Sequence, residues 1–286
     1  MLSVLIPARS EPHLEKTIDD LFAKAEGEIE VLVTLDGDAT TVADRPGLRV
    51  FTNPTPRGAR WCLNRMVEEA QGPLLLKTDA HCAFSPGFDA VLLAQQEPGS
   101  VTTLRRYSLD PETWRPFKRP IDYEYLGYPI WEGCPLGGLH AKPLPGRDDA
   151  PLLDETQTYN GAVWCVRKED FQRWGGLDER LWSFHIEGGE LGMKAWLSGG
   201  RLLVQKGAWH AHWWKSTKKR TVPLDWRALR NTQAYYTWYW THNQWPLAIR
   251  PFSWLVEHFW PVPDWPADWE ARLAAIPEPA LQAYVY

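Results

Sequence analysis

The sequence predicts an α/β protein. A mostly parallel, Rossmann-like sheet with helices on both faces is followed by an aromatic-rich helical extension at the C-terminus. Three observations carry this. Apolar runs alternate with helical patterns through the first hundred residues, the signature of successive βαβ units. Residues able to bind a ligand stand where those runs stop, as Asp79-Ala80-His81 does after Leu74–Thr78; ligands bind open α/β sheets at the carboxyl ends of strands. Beyond Val222 the composition shifts to aromatic and helical, with proline punctuation from Pro261 onward.

In chain order, Leu2–Pro7 is an apolar first strand. Residues His13–Ala25 place Leu14, Ile18, Leu21 and Phe22 at helical spacing. Glu28–Leu35 is a second strand, closed by Asp36-Gly37-Asp38, and Leu48–Thr52 a short third. Arg57–Ala70 reads as a helix with Leu63, Met66 and Val67 on one face, and Leu74–Thr78 as the fourth strand. Ser100–Tyr107 is a further strand. Residues 108–158 then lose periodicity and are dense in Pro, Gly and aromatics, the character of a lid or binding insertion. Order returns with the strand Gly161–Val166 and the helix Lys168–Trp174, stopped by Gly175-Gly176. The helix Glu187–Leu197, stopped by Gly199-Gly200, and the strand Arg201–Gln205 complete the series. The expected division is a catalytic domain over 1–215 and a Trp-rich helical extension over 216–286. The domain subdivides into a nucleotide-binding half (1–107), an insertion (108–158) and an acceptor half (159–215).

A chain of 286 residues can bury a full core. A net charge of −5 does not mark a dedicated nucleic-acid binder, but Arg201–Arg230 holds eight Lys/Arg against the single acid Asp225. Cys62, Cys82, Cys134 and Cys165 are scattered without a C-x-x-C pair, and read as reduced or buried thiols. The chain opens directly in a strand, with no signal-peptide pattern and no run of ~18 apolar residues. The expectation is a soluble cytoplasmic protein with no membrane association and no evident obligate protein partner. Eleven of the 18 tryptophans lie between Trp209 and Trp269. They form either a packed subdomain or a flat wall for a sugar or a base.

The chemistry centres on Asp79 and His81. A carboxylate and an imidazole two residues apart at a strand end can reach one divalent cation. Carboxylate suits Mg²⁺ or Mn²⁺, and imidazole tilts the choice to Mn²⁺. Such an ion would in turn hold a ligand's phosphates. Glu187 and Glu190, three apart at a predicted helix start, share one helix face. The helix dipole explains acids at that place but not the glycines between them.

Several further pieces stand in a consistent order: Ser3–Pro7 with Glu11; Asp36-Gly37; Gly58 with Asn64; Asp79-Ala-His81-Cys82; Asn160-Gly161-Ala162; Trp174-Gly-Gly-Leu-Asp178-Glu179; Glu187-Gly-Gly-Glu190; and Trp209-His-Ala-His212-Trp-Trp-Lys215. Together, over residues 2–215, they resemble glycosyltransferases of the GT-A fold in the broad family 2 group. The motif order is most similar to the catalytic domain of polypeptide N-acetylgalactosaminyltransferases. The resemblance implies a metal-dependent transferase that moves a sugar from a UDP-sugar to an acceptor hydroxyl.

It also implies roles for residues. Asp79, His81 and His212 would hold Mn²⁺ or Mg²⁺, with His210 the alternative third ligand. Lys215 follows His212 at the family's three-residue spacing and adds positive charge. Pro7, Ala8 and Glu11 would border the nucleotide, and Asp36 its uracil or ribose. Gly58 and Arg60 would lie at the diphosphate, with Arg57 the alternative arginine. This chain has Leu63 where the family often has an arginine. Glu187, Glu190 and Asp178 are the candidate catalytic acids, as base in an inverting course or orienting group in a retaining one.

The acceptor is open between a hydroxymethylated base in DNA, a glycan or lipid-linked sugar, and a protein hydroxyl. The first follows from a resemblance to bacteriophage glycosyltransferases, which would place the protein in the host cytoplasm. A catalytically dead binding module would have lost its metal ligands, which are present here. A nucleotidyltransferase would need a glycine-rich phosphate loop, which Pro7-Ala-Arg-Ser10 lacks.

Overall fold

The strands of the central sheet are buried on both faces, so they read as continuous apolar runs rather than alternating ones. The computed structural model describes residues 1–38, 40–129, 139–145, 150–181, 186–215 and 225–279. In chain order the elements are β1 (Leu2–Ala8), α1 (Leu14–Lys24), β2 (Ile29–Asp36), β3 (Leu48–Asn53), α2 (Ala59–Glu69), β4 (Leu74–Thr78) and β5 (Cys82–Phe84). Next come α3 (Phe88–Gln95), β6 (Ser100–Asp110), β7 (Arg115–Ile121), β8 (Tyr123–Leu126), β9 (Ala141–Leu144), β10 (Leu153–Glu155) and β11 (Val163–Arg167). The remainder are α4 (Lys168–Arg173), α5 (Glu187–Leu197), β12 (Arg201–His212), α6 (Trp226–Thr241), α7 (Phe252–His258) and α8 (Trp269–Ala274).

The sheet order is β10-β12-β6-β11-β4-β1-β2-β3, with β5 edging β12 and β7 edging β6. β1 pairs in parallel with β2 and β4, β2 with β3, and β12 with β6. β11 is inserted antiparallel between β4 and β6. The strands β1, β2, β3, β4, β6 and β12 therefore all run one way, and their carboxyl ends share one edge. This is the expected mixed α/β architecture with its aromatic helical extension.

Side chains of a strand alternate between faces, and the core divides accordingly. Val4, Ile6, Val31, Leu74 and Leu76 join the helix residues Ile18 and Leu21 on one face. Leu5, Leu32, Leu75, Trp164 and Val166 join Leu63, Leu191 and Trp196 on the other. The C-terminal helices pack into this second layer through Trp240, Phe252, Leu255 and Trp269. α6 begins at Asp225, whose carboxylate accepts from the backbone N–H of Arg227 and Ala228 at 2.9 and 3.0 Å, a capping contact. Among the described residues, no helix is long and apolar enough to cross a membrane.

Three features depart from the sequence reading. Residues 108–158, read as an insertion without periodicity, carry β7, β8, β9 and β10. β7 is exposed along most of its length, so no buried face marks it. The last strand does not stop at Gln205 but runs on to His212 through a register shift between Gln205 and Trp209. The helix α3 and the short β5 were not anticipated. Cys62, Cys82 and Cys165 are free and buried; Cys134 lies outside the described residues.

Candidate active site

β4 ends at Thr78, so Asp79 is the first residue past the sheet edge; its N–H donates to the Ala162 carbonyl at 3.0 Å. β5 folds back from there and pairs antiparallel with β12, setting Cys82 opposite His212. Trp213 N–H donates to the His81 carbonyl at 3.2 Å and extends that pairing. Two segments 131 residues apart are thereby joined, with their imidazoles 4.8 Å apart between centroids and tilted by 47°.

His212 Nε2 lies 3.1 Å from Asp79 Oδ2 and 3.1 Å from His81 Nε2. Ligand-type atoms of Asp79, His81 and His212 all lie within 4.8 Å of one another. One carboxylate oxygen and two imidazole nitrogens at this spacing are the donor set for a divalent cation. Glu11 supports them from behind. Its Oε2 stands 3.1 Å from His81 Nδ1, which favours the proton on Nδ1 and leaves the Nε2 lone pair for a metal. The other Glu11 oxygen pairs with Lys215.

The electrostatics agree. Burial works to raise the Asp79 carboxyl, but the Lys77 ammonium and the two histidines outweigh it and hold the group far below the ordinary carboxylate range. Burial pushes His212 down to about 4, so its ring is the neutral, ligating form at neutral pH. His210, two residues earlier on β12, is 1% exposed and neither ring nitrogen has a hydrogen-bond partner among the described residues. It is not part of the cluster.

Lys77 was missed by the sequence reading and joins the Asp79–His81–His212 cluster to the start of α5. It is 1% exposed, inside an otherwise apolar strand. Its ammonium donates to Asp79 Oδ1 at 2.6 Å and to the Gly161 carbonyl at 2.7 Å, and lies 3.4 Å from Glu187 Oε1. A lone lysine in a strand apolar enough to be core was the available signal. Glu187 opens α5. Burial raises its carboxyl, opposed by Lys77 and Arg60, and its Oε2 has no partner among the described residues. The glycines beside it have a steric reason. A Cβ on Gly188 would stand 2.5 Å from Gly161 Cα, so the helix start and the 159–162 segment cross backbone on backbone.

Glu190 and Arg60 meet each other. Both are 1% exposed and ion-paired, and Lys194 Nζ lies 2.7 Å from Glu190 on the helix turn after it. Glu190 also accepts from the Asp178 N–H at 2.9 Å. Asp178 holds Arg180 through two nearly parallel bonds, Nε–Oδ1 at 2.9 Å and Nη2–Oδ2 at 2.7 Å. The Asn64 side chain pins this turn, exchanging hydrogen bonds of 2.9 Å with Leu177 N–H and C=O.

Asp36 is likewise engaged by the protein. Its carboxylate accepts from Arg57 N–H and Gly58 N–H, both at 2.8 Å, and from Asn53 Nδ2 at 3.0 Å. It closes the turn before α2, where Gly58 takes φ +89°. Arg57 lies over the Trp61 ring at 5.0 Å. Pro7 and Ala8 stand at the end of β1, opposite Thr34 and Leu35.

Sheet, carboxyl-edge site and acidic helix start define a class of architecture: the chain has the GT-A fold of glycosyltransferases. Residues 3–143, just under half of the chain, match the profile of glycosyl transferase family 2. The sequence is 27% identical over 169 residues to a putative polypeptide N-acetylgalactosaminyltransferase 13 of Drosophila melanogaster, covering 56% of this chain and 28% of that protein. It is 25% identical over 176 residues to polypeptide N-acetylgalactosaminyltransferase 3 of Taeniopygia guttata, covering 57% and 27%. The chain thus spans little more than a quarter of these relatives. Among solved structures, GalNAc-T7 with UDP, GalNAc and Mn²⁺ superposes with TM-score 0.69 at 15% identity, over 90% of this chain and 56% of that one. TarS of S. aureus in complex with UDP-GlcNAc gives TM-score 0.52 at 16% identity, over 82% and 65%.

Proposed function

We propose that this protein transfers a sugar from a UDP-sugar to an acceptor hydroxyl, using Mn²⁺ or Mg²⁺ held by Asp79, His81 and His212. One observation carries the reading. Three ligand-type groups converge at the carboxyl edge of the sheet, and Lys77 ties them to Glu187. The relatives named as N-acetylgalactosaminyltransferases, and the similar fold that holds UDP and Mn²⁺, support it. When bound, the ion supplies Lewis-acid stabilisation of the departing diphosphate.

The chain's own residues do the rest. Glu11 holds His81 in its ligating tautomer and keeps Lys215 beside the site, where the ammonium adds positive charge toward the phosphates. Lys77 fixes Glu187 against the metal ligands. Glu187 is the group nearest the reacting sugar, a base toward the acceptor hydroxyl in an inverting course or an orienting group in a retaining one. In this reading Arg60, Glu190, Lys194 and Asp178 brace the helix start, and Asp36 and Gly58 shape the nucleotide side with Pro7 and Ala8. Residues 1–215 form the catalytic domain and 216–286 its extension.

The reading extends to a cytoplasmic location and admits a hydroxymethylated DNA base as acceptor, the bacteriophage-type activity. That acceptor rests on the basic, aromatic segment Lys206–Arg230. Lys218, Lys219 and Arg220 of that segment lie outside the described residues. The test is release of UDP from a panel of UDP-sugars with Mn²⁺, with and without hydroxymethylated duplex DNA or oligosaccharides. Turnover that persists in excess chelator, or no turnover of any UDP-sugar, would remove the proposal.

A further inference from the structure

A cavity of about 530 Å³ is lined in part by Glu190. It lies between the Gly175–Leu181 turn, α6 and the 245–247 segment, and its lining includes none of Asp79, His81 and His212. Its volume is in the range of pockets for small organic ligands.

Aromatic rings make up one wall. Tyr235 and Tyr239, one turn apart on α6, have centroids 5.9 Å apart and planes inclined by 27°, a stacked pair. Trp240 stands perpendicular to Tyr239 at 5.2 Å, with Trp245 beyond it at 5.9 Å. Both tyrosines are partly exposed, whereas Trp240 is buried. The lining also carries polar groups: Asp178 is paired with Arg180, whose guanidinium lies over the Tyr235 ring at 5.9 Å from its centroid.

The chemistry selects the occupant. An aromatic ring takes the apolar C–H face of a pyranose, while a carboxylate and a guanidinium accept from and donate to its hydroxyls. Charge argues against a polyphosphate chain. The lining carboxylates Asp178, Glu179 and Glu190 outnumber the lining cations Arg180 and Lys194. The cavity is tied to the start of α5 through one side chain. Glu190 lines it, receives the Asp178 N–H, and sits one helical turn from Glu187.

We infer that this cavity is the acceptor subsite and that it binds an uncharged saccharide, stacked on Tyr239 and hydrogen-bonded by Asp178 and Arg180. The assignment as acceptor subsite rests on the glycosyltransferase reading; the saccharide binding itself does not need donor or metal and is measured without them.

The probes are methyl glycosides and disaccharides of glucose, galactose, N-acetylglucosamine and N-acetylgalactosamine. They are titrated into the full chain and read by saturation-transfer NMR. At least one should bind. Tyr239→Ala should weaken it about tenfold, and Tyr239→Phe, which keeps the ring, less than about threefold. Acceptor-free hydrolysis of the UDP-sugar should stay within about twofold of wild type in Tyr239→Ala. Absence of binding by every saccharide overturns the inference, as does an unchanged affinity in Tyr239→Ala. Binding of a hydroxymethylated duplex that is lost in Tyr239→Ala, with no saccharide bound, would replace it with a nucleic-acid acceptor. If saccharides bind and respond to Tyr239 but no UDP-sugar is turned over, the binding site stands and the transferase reading falls.

Discussion

Replacing Lys77 with methionine should uncouple the metal site from the catalytic helix. Methionine matches the length of the lysine stem and suits the surrounding apolar strand, so lost charge rather than lost volume dominates. The ammonium sits 2.6 Å from Asp79 and 3.4 Å from Glu187 with 1% exposure. At an effective dielectric near 20, a unit pair at such distances interacts by roughly 5–6 kcal/mol, from which desolvation of the ammonium must be subtracted. Removing one member of a buried pair typically costs about 3–5 kcal/mol, because the partner charge is left behind. The metal-free variant should therefore lose about 3 kcal/mol in urea unfolding. Both carboxyl groups should titrate higher, because the positive charge that opposes their burial is gone. Divalent metal should recover part of the loss through Asp79 but none of the part carried by Glu187. The kinetic signature is a fall in kcat larger than any rise in donor KM, since Glu187 acts at the reacting centre. Lys77→Arg should keep the charge yet misplace it. A Lys77→Met protein with stability within 1 kcal/mol of wild type and unchanged kcat would refute the bridging role.

His212→Ala should abolish metal binding, whereas His210→Ala should keep it and lose about 2 kcal/mol of stability through a buried cavity; Mn²⁺ calorimetry with thermal melts on both variants reads the ranking. Glu187 must be ionised to act and its carboxyl is raised by burial. The acid limb of the kcat profile should therefore lie above the ordinary glutamate range near ~4.3. Glu187→Gln should lower kcat by at least about 10²-fold and erase that limb. Asp36→Ala should leave the N–H groups of Arg57 and Gly58 without their acceptor. It should cost about 1–3 kcal/mol of stability, measured by urea unfolding, and weaken UDP affinity through the distorted turn.

The first half of the fold was legible because each strand there is a compact apolar run with an abrupt polar stop. Leu74–Thr78 matches β4 to the residue, β1 and β3 run one residue past expectation, and β2 is shifted by one residue at both ends. The Gly175-Gly176 stop was legible too. Gly176 takes φ +65°, and a Cβ there would meet Asn64 Oδ1 at 2.8 Å. β7 was hidden because it is exposed along most of its length, and β8, β9 and β10 because each is only three or four residues long, too short for an alternation to show. The extension of β12 was hidden by Gly207 and the bulge beside it. In the site, residue types announced candidates but not partners. Asp79 and His81 stood out by spacing alone, while the placing of His212 beside them depends on β5 pairing with β12. Lys77 was visible only as a misplaced charge, because its partners Gly161 and Glu187 lie 84 and 110 residues away. The engagement of Arg60 by Glu190, across 130 residues, had no local signal.

Calorimetric titration of Mn²⁺ into the chelator-stripped full chain in the presence of UDP, on wild type and on Asp79→Ala, tests the central claim most directly. Wild type should bind one ion per chain, more tightly with UDP than without, and Asp79→Ala should show no such binding while its far-UV circular dichroism stays native. Equal Mn²⁺ binding by the two proteins, or binding indifferent to UDP, would contradict a metal site built from Asp79, His81 and His212 to hold a nucleotide-sugar.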